Sequence, residues 1–284
     1  MRAALLALAL LVPSLTSRAS TGPVPRLAHV VLVVLENHSY PEIVGNKAAA
    51  AFNRLAGRGA LLTRYYAVTH PSLPNYLALV SGSTQGITGD CTDCSVSAPN
   101  LVDALESAGR SWKTYAEGIP RPGWLGAESG SYAKKHVPFL YFRDVIDKRA
   151  RLARIVGFDA LRRDVASRRL PDFALVVPDL CHDLHDCDVA TGDRWLGSFA
   201  SSLLASGALG KGALFVVFDE GNFDDVAGGG GHVAAFAVGP AIRGGVRSRQ
   251  ATGHYGLLRT VEDALGLRAL GRSQQVLPLR GIWH

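Results

Sequence analysis

Apolar and polar positions fall in blocks along this chain. His29-Val-Val-Leu-Val-Val-Leu35 is an unbroken apolar, mostly β-branched run, the pattern of a strand buried on both faces. Phe173–Val177 and Ala213–Phe218 repeat it, and apolar runs at 60–67, 111–115 and 233–238 predict three further strands. Helical spacing predicts helices at about 47–58, 73–81, 99–109, 193–206 and 255–266, with Pro74 where a first-turn proline belongs. Residues 118–138, rich in Gly, Pro and aromatics, read as an irregular excursion, and 142–168 as a basic amphipathic stretch. Strands alternating with helices predict an α/β fold with a mainly parallel sheet covered on both faces. No repeat or Pro/Ser-rich linker divides the chain, so residues 20–284 read as a single domain.

The first nineteen residues belong to a different class. Met1-Arg2 gives a positive start, Ala3–Val12 an apolar run, and Ser17-Arg18-Ala19 a small-x-small cleavage site: residues 1–19 read as a secretory signal peptide. The run is about half the ~20 residues a membrane span needs, and no later segment is long and apolar enough to be a transmembrane segment. An exported protein is therefore expected. Export changes the reading of the four cysteines. Cys91-Thr-Asp-Cys94 has the spacing of half a zinc site or a redox pair, but Cys181 and Cys187 do not supply the other half. Disulfides are the better fit, with local pairs Cys91–Cys94 and Cys181–Cys187 favoured over cross-pairing.

Composition narrows the picture. With 48% hydrophobic and 19% charged residues, the chain has the material for a large core and is not disordered. Its formal charge is +6; without residues 1–19, which hold Arg2 and Arg18, 28 basic side chains face 24 acids, a formal +4. Such an excess attracts anionic substrates but gives no reason to expect nucleic acid.

The chemistry gathers where the strands end, which in an open α/β sheet is the functional crevice. Strand 29–35 is followed by Glu36-Asn37-His38-Ser39, and 60–67 by Thr69-His70-Pro71-Ser72-Leu73-Pro74-Asn75. After 173–177 come Pro178-Asp179-Leu180-Cys181-His182-Asp183-Leu184-His185-Asp186, and after 213–218 come Asp219-Glu220-Gly221. A single polar strand end is solvation or capping; four of them converging on one edge are a site. Glu36, Asn37, Asp219 and Glu220 offer oxygen ligands to a divalent metal ion. Ser72, at the start of a predicted helix, is either an N-cap or a nucleophile beside unpaired backbone N–H groups that suit a phosphate.

These segments, together with His70-Pro71-Ser72-Leu73-Pro74-Asn75-Tyr76 and His254-Tyr255-Gly256-Leu257-Leu258-Arg259-Thr260, resemble the bacterial phosphoesterase family of phospholipases C and acid phosphatases. In length and in the Ser-Leu-Pro-Asn-Tyr segment the chain is most similar to the secreted acid phosphatases of that family. The resemblance implies an alkaline-phosphatase-like three-layer α/β/α sandwich. It also implies a metal-assisted phosphomonoesterase, with phosphoinositides such as phosphatidylinositol 3-phosphate among its substrates. Glu36 and Asn37 match the first metal-ligand pair, and Asp219 with Glu220 a later pair where related acid phosphatases carry two aspartates. Ser72 matches the nucleophile, bound to the metal and phosphorylated in turn, and Asn75 an amide contacting phosphate. Asp179, His182 and His185 fall at a second metal site of the wider superfamily, with metal binding and direct phosphate contact both open.

The acid/base role falls to one of His182, His185 or His232. His70 and His136 are candidates for substrate contact, His136 alternatively lying in a basic surface loop, and His254 either caps its helix or faces the site. Gly228–Gly231 reads as a hinge or tight loop, and the Arg-rich stretch 149–169 as a solvated helix face that also attracts anionic lipid headgroups. The sulfatase pattern, with Arg four residues after the nucleophile, is broken by Tyr76. A phosphodiesterase of phospholipase C type and a non-catalytic binding protein on the same fold are the competing readings.

Overall fold

The computed structural model describes residues 24–284; the expected signal peptide lies outside the described residues. In chain order the strands are β1 (Val30–Leu35), β2 (Ala60–Leu62), β3 (Tyr65–Tyr66), β4 (Trp112–Ala116), β5 (Glu128–Ser129), β6 (Tyr132–Ala133) and β7 (Ile155–Val156). They continue as β8 (Phe173–Val177), β9 (Ala213–Phe218), β10 (His232–Val233), β11 (Ala235–Val238), β12 (Val246–Ser248) and β13 (Thr252–Gly253). Eight of them form one sheet in the order β12-β2-β11-β9-β1-β8-β4-β7. Only β11 runs against its neighbours β9 and β2; every other pairing in this sheet is parallel. The three unbroken apolar runs of the sequence are its centre, with every residue of β1, β8 and β9 buried.

Helices cover both faces. Ala50–Arg58 and Phe158–Ala166 each pack on Val189–Ser206, while Ser72–Ser81 packs on His254–Leu265, which also touches β1. The sheet and its two helical layers make the expected α/β/α sandwich. Helix Ser72–Ser81 is buried along its whole length, which explains why its sequence is apolar nearly all round.

Several boundaries differ from the sequence reading. The strand expected at 60–67 breaks at Thr63-Arg64, and its second half pairs with β10 and β13 in a separate small sheet. The strand expected at 233–238 divides likewise into β10 and β11. The irregular excursion holds the β5–β6 hairpin, and the basic stretch 142–168 is three helices with β7 inserted before the last. Nor is all of that stretch solvated: Arg151 is buried, held by Asp103, Glu106 and Asp144. Both local disulfides, Cys91–Cys94 and Cys181–Cys187, are present.

Candidate active site

Because β1, β4, β8 and β9 are parallel, the residues following them meet at one edge of the sheet: Glu36, Glu117, Pro178-Asp179 and Asp219-Glu220. Ser72 is delivered there by a tight loop and is the first residue of its helix, with Pro71 in the capping position. Asn75 braces that loop. Its Oδ1 accepts from the backbone N–H groups of Val68 (2.9 Å) and Thr69 (3.2 Å), and its Nδ2 donates to the carbonyls of Thr69 (2.7 Å) and Pro71 (3.2 Å). The amide expected to touch phosphate makes four hydrogen bonds within the loop that leads to Ser72. The glycine run closes the loop from outside: a Cβ at Gly229 would lie 2.2 Å from the Val68 carbonyl oxygen and one at Gly230 2.3 Å from that of Thr69. Only glycine permits so close an approach.

At the centre, Ser72 Oγ lies 3.0 Å from Glu36 Oε2 and 3.1 Å from Glu220 Oε1. Tyr76, one helical turn on from Ser72, donates its hydroxyl to the other oxygen of Glu36. His70 Nδ1 lies 2.5 Å from Glu220 Oε2, and its Nε2 3.0 Å from the Asp225 carbonyl oxygen. Asp219 Oδ1 accepts from the Asn37 backbone N–H at 3.1 Å, Asn37 being in the left-handed region at φ 58°. It is therefore the backbone of Asn37 that the structure ties to Asp219. His254 is fully buried: its Nε2 donates to the Asp219 carbonyl at 2.6 Å and its Nδ1 meets the Tyr65 hydroxyl at 3.0 Å. Of its two expected roles, His254 takes the one facing the site.

A second arm comes from 134–136 and 179–187. His136 is buried, stacked on Tyr76 with its Nδ1 3.0 Å from Asp183 Oδ2 and its Nε2 3.3 Å from Glu36 Oε2. Glu36, His136 and His185 carry ligand atoms close enough to share one metal ion. The loop is held by Asp90, whose Oδ1 accepts from the Leu73 N–H at 2.9 Å and whose Oδ2 pairs with Lys135 at 3.0 Å. Lys135 reaches His185 Nε2 at 3.2 Å. Glu117, Asp179 and His182 form another ligand-spaced group, in which Glu117 Oε2 accepts from His182 Nδ1 at 2.9 Å. Asp179 also caps the turn after β8 through the N–H groups of Cys181 and His182. His232 is occupied elsewhere, stacked on Tyr40 at 4.4 Å with its Nε2 on the Thr63 carbonyl.

Sequence reading missed Tyr76 as a partner of Glu36, and missed Glu117, Asp183, Asp90 and Lys135. Only Glu117 had an available signal: it follows an apolar strand as Glu36 does.

The electrostatics call for a cation. Burial, reinforced by neighbouring carboxylates, raises Glu36 and Asp219 well above the ordinary range; burial also raises Glu220, and lifts Asp183 to about 8. Burial holds His136 well below its usual value, so it stands as a neutral imidazole. Asp219 Oδ2 is buried without a hydrogen-bond partner, which is costly unless something else is bound there. Crowded carboxylates, an orphaned Asp219 oxygen and a neutral histidine together fit a divalent metal ion.

The chain is 35% identical over 265 residues to the phosphatidylinositol-3-phosphatase of Mycobacterium tuberculosis, covering 93% of this chain and 85% of that one. It is 30% identical to a probable acid phosphatase of Kluyveromyces lactis and 32% to an acid phosphatase of Aspergillus fumigatus. These alignments cover 92% and 84% of this chain, but 66% and 55% of the fungal proteins. An alkaline phosphatase superfamily protein from Vibrio parahaemolyticus shares the fold with a TM-score of 0.65 at 15% identity, covering 90% of this chain and 72% of that one. The model of the Phosphoesterase family matches residues 46–268, and the chain belongs to that family.

Proposed function

We propose that this protein is an exported phosphatase that hydrolyses phosphate monoesters, phosphoinositide headgroups among them, through a phosphoserine at Ser72. The observation that carries this reading is the Ser72 hydroxyl at a helix N-terminus between Glu36 and Glu220. The M. tuberculosis relative, named for phosphatidylinositol 3-phosphate, supports the lipid headgroup as substrate. Two disulfides favour an oxidising compartment, and among the described residues no helix is long and apolar enough to cross a membrane.

Ser72 Oγ attacks phosphorus in line with the departing alcohol oxygen, and its proton passes to Glu220, whose other oxygen is fixed by His70. We assign to His185, at the rim beside Lys135, the protonation of the leaving oxygen; the same group, now deprotonated, then activates water to cleave the phosphoserine, and Glu220 returns its proton to Ser72. Asn75 and the glycine run keep Ser72 still during both steps. Glu36 and Asp219 would hold a divalent cation beside Ser72 Oγ, with His136 able to join Glu36. Such a cation lowers the pKa of the serine hydroxyl and neutralises charge on the transferring phosphoryl group.

The test compares wild type with Ser72→Ala on p-nitrophenyl phosphate and on bis(p-nitrophenyl) phosphate, with metal supplied. Wild type should prefer the monoester, and Ser72→Ala should lose on the order of a thousandfold or more in kcat while remaining folded. Acid quenching of wild type on labelled substrate should trap label on Ser72. Preference for the diester would instead favour a phospholipase C-type reaction, and full activity in Ser72→Ala would remove the assigned nucleophile.

A further inference from the structure

Among the described residues the large apolar side chains standing in water are Leu125, Phe223, Val226 and Leu277. Phe223 is 77% exposed, Val226 69% and Leu277 59%. Single exposed apolar residues need no explanation, but these three are not scattered. Phe223 and Val226 sit on the segment immediately after Glu220, and the adjoining Gly228 shares with Leu277 the lining of a cavity of about 490 Å³. The Phe223 ring stacks on His70 at 5.3 Å, His70 holds Glu220, and Glu220 touches Ser72. An exposed apolar rim is thus joined to the nucleophile by three successive contacts.

The geometry points to a lipid surface as the occupant of this rim: Phe223, Val226 and Leu277 enter the outer layer of a membrane and hold the Ser72 site against the phosphate headgroups there. This rests on the phosphoinositide reading above and says how the enzyme reaches such a substrate. Arg272 lines the same cavity as Leu277, is exposed, lies over the Tyr255 ring at 5.7 Å, and has no carboxylate ion-pair partner among the described residues, so its charge is not neutralised against a lipid phosphate. Asp225 is turned inward onto the Ser39 hydroxyl and the N–H groups of Ala227 and His232. Asp224 is exposed and opposes an anionic surface, so the attachment is chiefly apolar.

The Arg-rich stretch is placed wrongly for this task. Since β7, β4 and β8 are parallel, helix Phe158–Ala166 leads away from the active edge, and Arg168-Arg169 lie toward the entry of β8.

The experiment uses full-length mature protein and the variants Phe223→Ser, Val226→Ser and the double substitution, all at exposed positions outside the catalytic groups. Flotation with phosphatidylcholine vesicles containing phosphatidylserine should carry wild type, and the double variant should lose about tenfold or more of that binding. Turnover of phosphatidylinositol 3-phosphate in the same vesicles should fall in parallel, while p-nitrophenyl phosphate turnover by Val226→Ser stays at the wild-type level. Wild type that does not float, or a double variant that floats equally, overturns the membrane rim. So does a concentration-dependent dimer that the double substitution abolishes, which would assign the patch to a second copy of the chain. Vesicle binding that depends on Phe223 and Val226, without turnover of any phosphoinositide, would leave the rim standing and remove the substrate reading.

Discussion

Ser72 Oγ has one proton and two carboxylates within reach, Glu36 and Glu220, and what each can do depends on its other partner. Glu220 is held by His70, so an arriving proton meets a fixed acceptor. Glu36 is held by Tyr76, whose hydroxyl burial keeps protonated well above its ordinary value, so it remains a donor at any working pH. That bond favours the charged form of Glu36 against the burial that disfavours it. Tyr76→Phe removes the oxygen and leaves the ring stacked on His136. The expected result is a loss of about 10–100-fold in metal affinity, with kcat largely restored at saturating metal. Titrating metal into chelated protein while following activity and a metal-binding signal checks it; unchanged affinity would show that Tyr76 serves only packing.

At the scale of elements, helix His254–Leu265 links the site to the C-terminal segment. Its first residue holds the Asp219 carbonyl, and near its end Glu262 accepts from the Leu270 N–H (2.8 Å) and the Ser273 hydroxyl (2.6 Å). Burial raises Glu262 to about 7, against an unfolded value near 4.3. Between those values the folded state holds more protons than the unfolded one, so this group's contribution is full below about pH 4 and is lost as pH rises through 7. The full effect is on the order of 3 kcal/mol. With divalent cation in excess, Glu262→Gln should match wild type at pH 4 and exceed it by about 1–3 kcal/mol at pH 8, read from urea unfolding at both values. The same helix shows why some elements were legible and others were not. Its apolar spacing, like the unbroken runs of β1, β8 and β9, reflects burial that any sequence must satisfy. The two-residue strands β7, β10 and β13 carry too few side chains for a period, and their pairing is set by distant partners. Ser72, Glu36, Asp219 and Glu220 were readable because they directly follow or precede regular elements. Tyr76, Asp183 and the loop-bracing bonds of Asn75 were not, because these depend on which loop folds against which helix.

For the molecule as a whole, the basic excess and the acidic site are complementary. The formal charge is positive, yet Glu36, Asp183, Asp219 and Glu220 are buried together at one sheet edge. Without a cation they are raised above their unfolded values, chiefly by burial, so the metal-free fold is favoured at low pH and loses stability as pH rises, through about 8 for Asp183. A bound cation reverses that slope, because it binds the ionised carboxylates and adds stability by mass action, about 2.7 kcal/mol at a hundred times Kd. Chelation should therefore lower Tm little at pH 5 and by about 5–10 °C at pH 8, with readdition of a divalent ion restoring it. Scanning calorimetry with and without chelator at the two pH values decides the matter. Equal Tm values at pH 8, in protein shown to be metal-free, would mean that the buried carboxylates are held by protons and internal hydrogen bonds alone.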